Sequence, residues 1–271
     1  MDYYAVAGNP IHHSKSPMIH AMFANQTKQT LEYEKKEVPL EAFKAYVSEF
    51  FAQKNQKGLN ITVPFKEQAW ALCQVRTDRA ELAGAVNTLY LNEKKQLCGD
   101  NTDGVGLVSD LKNHEIALKD KKILIVGAGG AVRGVLQPIL KEKPKSVVLC
   151  NRTLSKADEL VSIFKTVGNI KSCAFDDLNE TFDIVINGTS ASLTGNLPSL
   201  PDAVVSDITV TYDMMYGKDK TVFNAWAEQC GAAQTIDGLG MLVEQAAEAF
   251  LIWRGVRPET QTVIAKTRAL N

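Results

Sequence analysis

The sequence predicts an α/β protein with two domains, and three features lead to this prediction. Short apolar runs typical of buried strands alternate with helical stretches along almost the whole chain. In the second half, the glycine-rich segment GAGG follows one such strand and opens a helix. About 120 residues precede that strand, which is enough chain for a separate domain of ordinary size.

The first domain is predicted to be an α/β layer of its own. Ser16 stands directly before Pro17, so we expect Ser16 to be the N-cap and Pro17 the first residue of a helix. The other predicted elements are strands at 3–7, 31–38 and 58–63, a hairpin of strands 85–91 and 96–99, and helices at 40–52, 65–73 and 103–112.

The second half continues the alternation and predicts an open, doubly wound parallel sheet with helices on both faces. Strands are expected at 123–126, 147–149, 170–174, 183–187 and 204–208 and near 235, with helices after residue 130, at 155–166 and at 220–230. Two more helices, near 239–253 and at 259–270, are expected to return to the first domain. We therefore predict one domain of residues 1–102 plus 239–271 and a second of residues 103–238.

The composition is that of an ordinary globular protein, and it excludes several classes of partner. Of the 271 residues, 45% are hydrophobic and 23% are charged, and the net charge is −1. Such a chain has no basic field that would hold nucleic acid or an anionic membrane. The N-terminus lacks a signal-peptide pattern and no apolar run approaches the length of a membrane span, so a cytoplasmic location is expected.

Missing motifs exclude several kinds of site. The five cysteines form no C-x-x-C pair and are odd in number, which favours reduced packing residues. The four histidines have no carboxylate or cysteine beside them at metal-ligand spacing, so no metal site is expected. The chain has neither the G-x-S-x-G motif of serine hydrolases nor G-K-[ST] after its glycines.

The glycine-rich turn predicts a site for a pyrophosphate. The apolar run 123–126 leads into Gly127, Gly129 and Gly130, and a helical pattern follows. Free backbone N–H groups and the positive end of a helix dipole meet there, and both favour phosphate. The third position of the dinucleotide-binding motif is Val132 instead of glycine or alanine, so a buried strand that merely ends in a glycine-rich turn remains an alternative.

The next strand ends at residues that favour NADP over NAD. Dehydrogenases that bind NAD place Asp or Glu about 20 residues after the glycines, where the carboxylate binds the ribose hydroxyls. This chain has Arg152 in that region, flanked by Asn151, Thr153 and Lys156. A guanidinium pairs with a 2′-phosphate, which a carboxylate would repel, so the sequence predicts a Rossmann-like NADP-binding domain.

Candidate reactive residues occur in the segment NITVPFK, residues 60–66. Asn60 and Thr62 lie on one face of a strand end because side chains alternate along a strand. Lys66 enters the next helix near its N-terminus, where a cation opposes the helix dipole, and a locally unfavourable lysine is a candidate for function. A plain surface lysine is the alternative.

Four further polar residues are candidates for the same site. Asn87 lies in AVNTL, and Asp103 lies in DNTDGVG at a strand-to-helix junction, where a role as N-cap would also explain it. Ser14 and Ser16 in HSKSP offer two hydroxyls, although a helix cap would account for Ser16.

Nine segments, taken together and in order, resemble the shikimate dehydrogenase family. They are HSKSP, NITVPFK, AGAVNTL, DNTDGVG, GAGGAVRG, NRT, NGTSA, DMMY and DGLGMLVEQAAEAF, and they span nearly the whole chain. The resemblance implies NADPH-dependent, reversible reduction of 3-dehydroshikimate to shikimate, on the route to chorismate and the aromatic amino acids. It also implies a substrate-binding α/β domain beside a Rossmann-like NADP-binding domain.

The resemblance implies roles for individual residues. Lys66 and Asp103 are the implied catalytic pair, in which Lys66 polarises the carbonyl and delivers or relays the proton. The implied substrate contacts are Ser14, Ser16, Asn60, Thr62, Lys66, Asn87, Asp103, Tyr216 and Gln245. The implied cofactor contacts are Asp78, Gly127, Ala128, Gly129, Gly130, Ala131, Asn151, Arg152, Thr153, Lys156, Thr189, Ser190, Met214, Gly238 and Met241. Val132 is bulkier than the usual small residue, so a slight shift of its helix is expected.

Two alternative functions stay open. A quinate/shikimate dehydrogenase of broader specificity would act on a ring that differs by one hydroxyl, and the serines do not decide between the two. A non-catalytic ligand-sensing relative would keep the fold without the reaction, which the presence of both Lys66 and Asp103 argues against. The sequence also leaves open whether the chain is a monomer or a homodimer.

Overall fold

The computed structural model describes residues 1–270, apart from the side chains of residues 193 and 194. Two compact units form within it: residues 1–106 with 243–270, and residues 107–242. We call them unit 1 and unit 2. Each contains helices and a six-stranded sheet, so the predicted α/β fold class is confirmed.

Unit 1 is built on a mixed sheet. Its strands are β1 (Asp2–Gly8), β2 (Leu31–Glu37), β3 (Gln56–Ile61), β4 (Val75–Arg76), β5 (Thr88–Leu91) and β6 (Leu97–Asp100), in the order β2-β1-β3-β5-β6-β4. Strand β1 pairs in parallel with β2 and β3, whereas β5 runs antiparallel to β3 and β6. The predicted hairpin is therefore present as β5 and β6, and a hydrogen bond from the Lys95 amide to the Asn92 carbonyl closes its turn (2.9 Å).

Helices pack on this sheet and bury an aliphatic and aromatic core. They are α1 (Ser16–Thr27), α2 (Phe43–Ala52), α3 (Lys66–Leu72) and α4 (Asp78–Ala83), and the first turn of α5 (Asp103–Asn113) follows. Phe43 and Phe65 are fully buried, and their rings stack with centroids 4.5 Å apart. Phe65 is the N-cap residue of α3 and directly precedes Lys66, so this contact anchors the start of the helix.

Unit 2 has the strand order of a doubly wound sheet. Its strands are β7 (Lys122–Val126), β8 (Ser146–Cys150), β9 (Ile170–Cys173), β10 (Ile184–Asn187), β11 (Val210–Asp213) and β12 (Gln234–Asp237), and its helices include α6 (Gly130–Lys141), α7 (Leu154–Phe164) and α8 (Val222–Gln229). The order is β12-β11-β10-β7-β8-β9, and neighbouring strands are parallel. The order reverses between β7 and β10, which is where such sheets bind their ligands. The predicted Rossmann-like fold is confirmed.

The last part of the chain belongs to unit 1. Helix α9 (Leu239–Arg254) starts in unit 2 and continues in unit 1, and α10 (Gln261–Ala269) lies in unit 1. Trp253 donates from its indole Nε1 to the Leu89 carbonyl of β5 (3.2 Å). A side chain at Gly58 of β3 would lie 2.3 Å from that indole ring, so glycine is needed for this close approach. The end of α9 thus packs directly on the sheet of unit 1.

The prediction of a strand at 204–208 is wrong. A short 3₁₀ helix occupies Asp202–Val204, and the strand of this region is β11. Thr209 holds the turn between them, because its Oγ1 donates to the Phe182 carbonyl (2.7 Å) and accepts from the Ser206 amide (2.9 Å). Val204 and Val205 are buried and gave this segment the apolar pattern of a strand, although the segment does not form one.

The structure differs from the prediction in the caps of two helices and in one additional helix. Ser16 is the first residue of α1 and not its N-cap, since the cap position is Lys15 and no side chain caps this end. Asp103 is the first residue of α5, so its carboxylate is not the cap of that helix. Helix α4 is absent from the prediction, although Thr77 signals its start by accepting from the Ala80 amide.

Three further findings concern membrane-spanning helices, metal-binding groups and cysteines. Among residues 1–270, no helix has the length and apolar character that crossing a membrane requires. The same residues contain no group of three or more His, Cys, Asp or Glu side chains that could hold a metal ion. All five cysteines are free thiols.

A buried histidine makes the stability of the fold sensitive to acid. His20 on α1 is fully buried, and its ring stacks on Tyr33 with centroids 4.1 Å apart. Burial lowers the pKa of His20 from 6.5 to about 3, against a smaller opposing effect of Asn60. The folded protein therefore keeps His20 neutral at pH values where the unfolded chain takes up a proton.

We expect the free energy of unfolding to fall between about pH 7.5 and about pH 5, with roughly 2 kcal/mol of the loss due to His20. The contribution of His20 is complete above its unfolded-state pKa of 6.5 and decreases as the pH drops towards the folded-state value of about 3. Urea denaturation at both pH values measures this decrease in the free energy of unfolding. The loss should be smaller by that amount in His20→Phe and unchanged in His13→Phe, whose ring is exposed. Equal pH dependence in the wild type and His20→Phe would contradict this assignment.

Candidate active site

Lys66 and Asp103 form an ion pair in unit 1. Lys66 is the first residue of α3 and Asp103 is the first residue of α5. The Lys66 Nζ and the Asp103 Oδ2 are 2.5 Å apart, and the two side chains are 24% and 10% exposed. A cation at the N-terminus of its own helix opposes the dipole, and Asp103 compensates that charge. The pair thus presents an ammonium group that solvent can reach but that is held in one place.

Asn87 holds the second oxygen of the Asp103 carboxylate. Its Nδ2 donates to Asp103 Oδ1 (2.8 Å) and to Thr102 Oγ1 (2.9 Å), and its Oδ1 accepts from the Thr102 amide (2.9 Å). Gln245 of α9 joins the group, because its Oε1 accepts from Asn87 Nδ2 and from Thr102 Oγ1, both at 3.4 Å. Each oxygen of the Asp103 carboxylate therefore has a donor, which fixes the orientation of the carboxylate towards Lys66.

The turn before α5 supports this arrangement through residues that the prediction did not include. Asn101 is buried; its Oδ1 accepts from the Asp103 amide (3.1 Å), and its Nδ2 donates to the Ala85 carbonyl (3.1 Å). Asp100 accepts from the Asn101 amide (2.6 Å) and from two nitrogens of Arg79 (2.6 and 2.8 Å). The only signal for Asn101 in the sequence is its position two residues before Asp103 in DNTDGVG.

Asn60 and Thr62 lie at the end of β3. Asn60 is buried, and its Oδ1 accepts from the Tyr33 hydroxyl (2.7 Å) while its Nδ2 donates to the Asn87 carbonyl (3.1 Å). Thr62 is half-buried, and its backbone amide donates to the Ala7 carbonyl (3.0 Å). The structure therefore joins Asn60 directly to Asn87, as part of the group around Asp103.

The two serines of the HSKSP segment contact each other. Ser14 Oγ donates to Ser16 Oγ (3.2 Å) and accepts from the Ser16 amide (3.3 Å). Ser16 lies next to the Tyr33 hydroxyl and partly opposes the rise that burial causes in the pKa of Tyr33. The serines are thus connected through Tyr33 to Asn60.

Tyr216 and Asp78 are two further residues with predicted ligand contacts. Tyr216 follows β11 in unit 2, where burial and the charge of Asp237 raise the pKa of its hydroxyl. Asp78 is the exposed first residue of α4 in unit 1, and a carboxylate is favourable at a helix N-terminus. The favourable position at the start of α4 is sufficient to explain an aspartate at residue 78. The contact of Asp78 with a cofactor and that of Tyr216 with a substrate stay predictions.

The residues predicted to contact a cofactor in unit 2 follow the ends of its strands. Gly127 follows β7, Asn151 follows β8, Thr189 lies just after β10, Met214 follows β11, and Gly238 follows β12. Because these strands are parallel, their carboxyl ends meet at one edge of the sheet. The fold therefore brings these residues to the same edge.

The turn after β7 has the shape that a dinucleotide phosphate needs. Gly127 has a φ of +111°, a conformation that favours glycine, and its amide donates to the Cys150 carbonyl (2.7 Å). A side chain at Gly129 or Gly130 would meet no atom within 4 Å, so open space lies over the start of α6. The first turn of α6 contains no acidic residue. An anion can therefore approach the free backbone N–H groups, and the turn fits the phosphates of NADP.

Val132 is accommodated by a neighbouring glycine. The side chain of Val132 is fully buried. A Cβ atom at Gly188 would lie 2.3 Å from Val132 Cγ2, so only glycine fits there. Gly188 thus provides the room that the bulkier residue in the third motif position requires.

Arg152 and Lys156 supply exposed positive charge after β8. Arg152 lies in the loop that leads to α7, and Lys156 lies in the first turn of that helix. Within residues 1–270, neither side chain forms an ion pair. Asn151 shapes the loop, because its Nδ2 donates to the Thr153 carbonyl (2.8 Å). Both cations are therefore available for a phosphate group.

A buried carboxylate orders the loops after β10 and β11. Asp213 Oδ1 accepts from Asn187 Nδ2 (3.0 Å) and from the Met215 amide (3.1 Å). Burial raises the pKa of Asp213, and these donors oppose the rise. Asn187 Oδ1 in turn accepts from the Thr189 amide (3.1 Å) and hydroxyl (2.7 Å). The positions of Thr189 and of the chain at Met214 are thereby set by one network.

The remaining predicted cofactor residues differ in exposure. A Cβ atom at Gly238 would lie 2.1 Å from the Met214 carbonyl oxygen, so the chain passes Met214 only because residue 238 is glycine. Met241 is half-buried in the first turn of α9, Ser190 is exposed, and Ala131 is half-buried in α6. Their contacts with a cofactor stay predictions.

Known proteins match the chain along almost its whole length. Three family models match parts of it: the shikimate dehydrogenase substrate binding domain at residues 6–89, shikimate/quinate 5-dehydrogenase at 110–195, and the shikimate 5′-dehydrogenase C-terminal domain at 238–266. The shikimate dehydrogenase (NADP(+)) of Hahella chejuensis is 58% identical over 269 residues, which is 99% of each chain. The chain belongs to the shikimate dehydrogenase family.

Solved structures of similar proteins share this fold. An Ael1 enzyme from Pseudomonas putida has a TM-score of 0.94 and 44% identity, with 98% of each chain covered. The shikimate 5-dehydrogenase of Thermus thermophilus, solved in complex with NADP(H) and shikimate, has a TM-score of 0.90 and 31% identity over the full length of both chains.

Proposed function

We propose that this chain catalyses the NADPH-dependent, reversible reduction of 3-dehydroshikimate to shikimate, a step towards chorismate and the aromatic amino acids. The observation that carries the proposal is the Lys66–Asp103 ion pair, which is surrounded by amide and hydroxyl groups in a chain of this family. We further propose that unit 1 binds the substrate and unit 2 binds the cofactor. A cytoplasmic location and a monomeric or homodimeric state stay predictions.

The chain is an NADP-dependent oxidoreductase, as its curated relatives are. The residues fit this cofactor: the open glycine turn at the start of α6 suits a pyrophosphate, and Arg152 with Lys156 suits a 2′-phosphate. NADPH supplies the hydride for the carbonyl carbon when it is bound. Thr189, Ser190, Met214, Gly238 and Met241 are proposed to hold the remainder of the cofactor.

Lys66 is proposed to supply the proton. Its ammonium group hydrogen-bonds the carbonyl oxygen of the substrate, polarises it, and gives up a proton as the alkoxide develops. In the oxidation direction the neutral amine takes the proton from the hydroxyl. Since the side chain is 24% exposed, solvent can restore the proton after each turnover. Asp103 holds the ammonium in place and can accept a hydrogen bond from a neighbouring ring hydroxyl.

The other side chains of unit 1 suit a polyhydroxylated carboxylate. Such a ligand needs many hydrogen-bond partners, because each of its polar groups loses water on binding. Ser14 and Ser16 can donate to a carboxylate, while Asn87 and Gln245 offer amides next to Asp103. We propose that these residues bind shikimate together with Asn60, Thr62 and Tyr216.

Absorbance at the nicotinamide band tests the function. We expect NADPH to form from shikimate plus NADP at a kcat/KM far above that for quinate plus NAD. One matching family model is described as shikimate/quinate 5-dehydrogenase, which keeps the broader specificity as a second candidate. Comparable rates with quinate would favour that candidate. Binding of NADP without turnover of either compound would favour a ligand-sensing relative.

A further inference from the structure

We propose that Tyr33 is a positioning residue for substrate binding, whose hydroxyl fixes the Asn60 amide so that Asn60 presents an acceptor oxygen to a substrate hydroxyl. This inference rests on the proposed function. Tyr33 lies on β2 and is 27 residues from Asn60 in sequence, so only the fold brings the two together.

The hydrogen bonds of Asn60 use up both of its donors. Its Nδ2 donates to the Asn87 carbonyl (3.1 Å) and to the Thr88 hydroxyl (3.2 Å), and its Oδ1 accepts from the Tyr33 hydroxyl (2.7 Å). A side-chain amide has two N–H donors and an oxygen with two lone pairs. The Asn60 side chain therefore has one unused hydrogen-bonding position, a lone pair on Oδ1, and this position can only accept a hydrogen bond.

This assignment decides which substrate group Asn60 can bind. A carboxylate carries only acceptors at neutral pH, so it gains nothing from the remaining lone pair of Asn60. A ring hydroxyl has a proton to donate and pairs with it. Reversing the amide would place its oxygen against the Asn87 carbonyl, where two acceptors repel. Tyr33 and Asn87 thus hold Asn60 in one orientation.

The surroundings of Tyr33 keep it a rigid donor. Its ring stacks on the buried His20 ring at 4.1 Å, with the two planes 8° apart. Burial raises the pKa of Tyr33 well above its usual value, so the hydroxyl keeps its proton. Ser16 lies next to the same hydroxyl. Tyr33 therefore touches two of the residues that are proposed to bind shikimate while having no proposed contact of its own.

A double-mutant cycle of Tyr33→Phe and Asn60→Ala tests the inference. Phenylalanine keeps the ring stacked on His20 and removes only the hydroxyl, so the fold is retained, which thermal unfolding checks. We expect Tyr33→Phe to raise the KM for shikimate about five-fold, with kcat and the KM for NADP nearly unchanged. In the Asn60→Ala background, the same change should raise the KM for shikimate by much less than five-fold, because the contact with Asn60 is already lost.

Tyr46→Phe is the matched control. Tyr46 also lies in unit 1, and its hydroxyl is buried without a hydrogen-bond partner among the described residues. Removal of this hydroxyl should leave all three kinetic constants unchanged. The role of Tyr33 would be overturned by an equal KM for shikimate in Tyr33→Phe and Tyr46→Phe. It would also be overturned if Tyr33→Phe changed this KM by the same factor with and without Asn60. In either case, turnover of shikimate by the wild type would still support the proposed function. Absence of that turnover would overturn both.

Discussion

Lys66→Ala is expected to lower kcat by about 10²- to 10⁴-fold, the range that a positioned general acid contributes, with little change in the KM for shikimate. The ammonium group lies 2.5 Å from Asp103 and is proposed to act on the developing alkoxide, so its interaction grows in the transition state. The other groups around Asp103, which are proposed to bind the ground state, remain in the variant. Steady-state kinetics in the direction of shikimate oxidation measures the effect.

Lys44→Ala is the control for this variant. Lys44 lies on α2 in the same unit, and its side chain is exposed. Its removal should leave kcat and KM unchanged. If Lys66→Ala instead turned over shikimate at a near-normal rate, Lys66 would have no part in the proton transfer, and the proposed chemistry would need another acid.

Arg152→Asp is expected to reduce the ratio of kcat/KM for NADP to that for NAD by about 100-fold or more. A charge-assisted hydrogen bond to the 2′-phosphate is worth roughly 1.5–3 kcal/mol, and the new carboxylate adds repulsion to this loss. The same carboxylate can accept from the ribose hydroxyls of NAD, which favours that cofactor. Initial rates with both cofactors at saturating shikimate measure the ratio.

Lys165→Asp makes the same change of charge near the other end of α7. Lys165 is exposed, and it is the C-cap residue of the helix, far from its first turn. The cofactor ratio should be unaffected in this variant. A ratio that is also unchanged in Arg152→Asp would mean that other residues bind the 2′-phosphate.

Local signals predicted most of the secondary structure, and their failures have physical causes. The run 123–126 is fully buried as part of β7, because a strand covered on both faces must be apolar throughout. The strand predicted at 204–208 failed because two buried valines in a turn look like a strand to any local pattern. Helix α4 was missed because it is only six residues long and carries little periodic signal.

The candidate site could be predicted in outline but not in its contacts. Parallel strands must end at one edge, so the meeting of the glycine turn, Arg152 and Thr189 follows from topology. No spacing rule predicts that Asn101 supports Asp103 by binding the Ala85 carbonyl, or that Tyr33 binds Asn60. Asn101 and Ala85, like Tyr33 and Asn60, lie far apart in sequence, and their contacts are set by packing, which a single sequence does not reveal.

Transfer of deuterium from shikimate to NADP tests the proposed reaction most directly. Shikimate with deuterium on the carbon that bears the oxidised hydroxyl would be incubated with the protein and NADP, and the NADPH analysed by mass spectrometry. We expect each NADPH to carry a single deuterium, because the hydride passes directly between substrate and cofactor. NADPH without deuterium, or no NADPH at all, would contradict the proposed function.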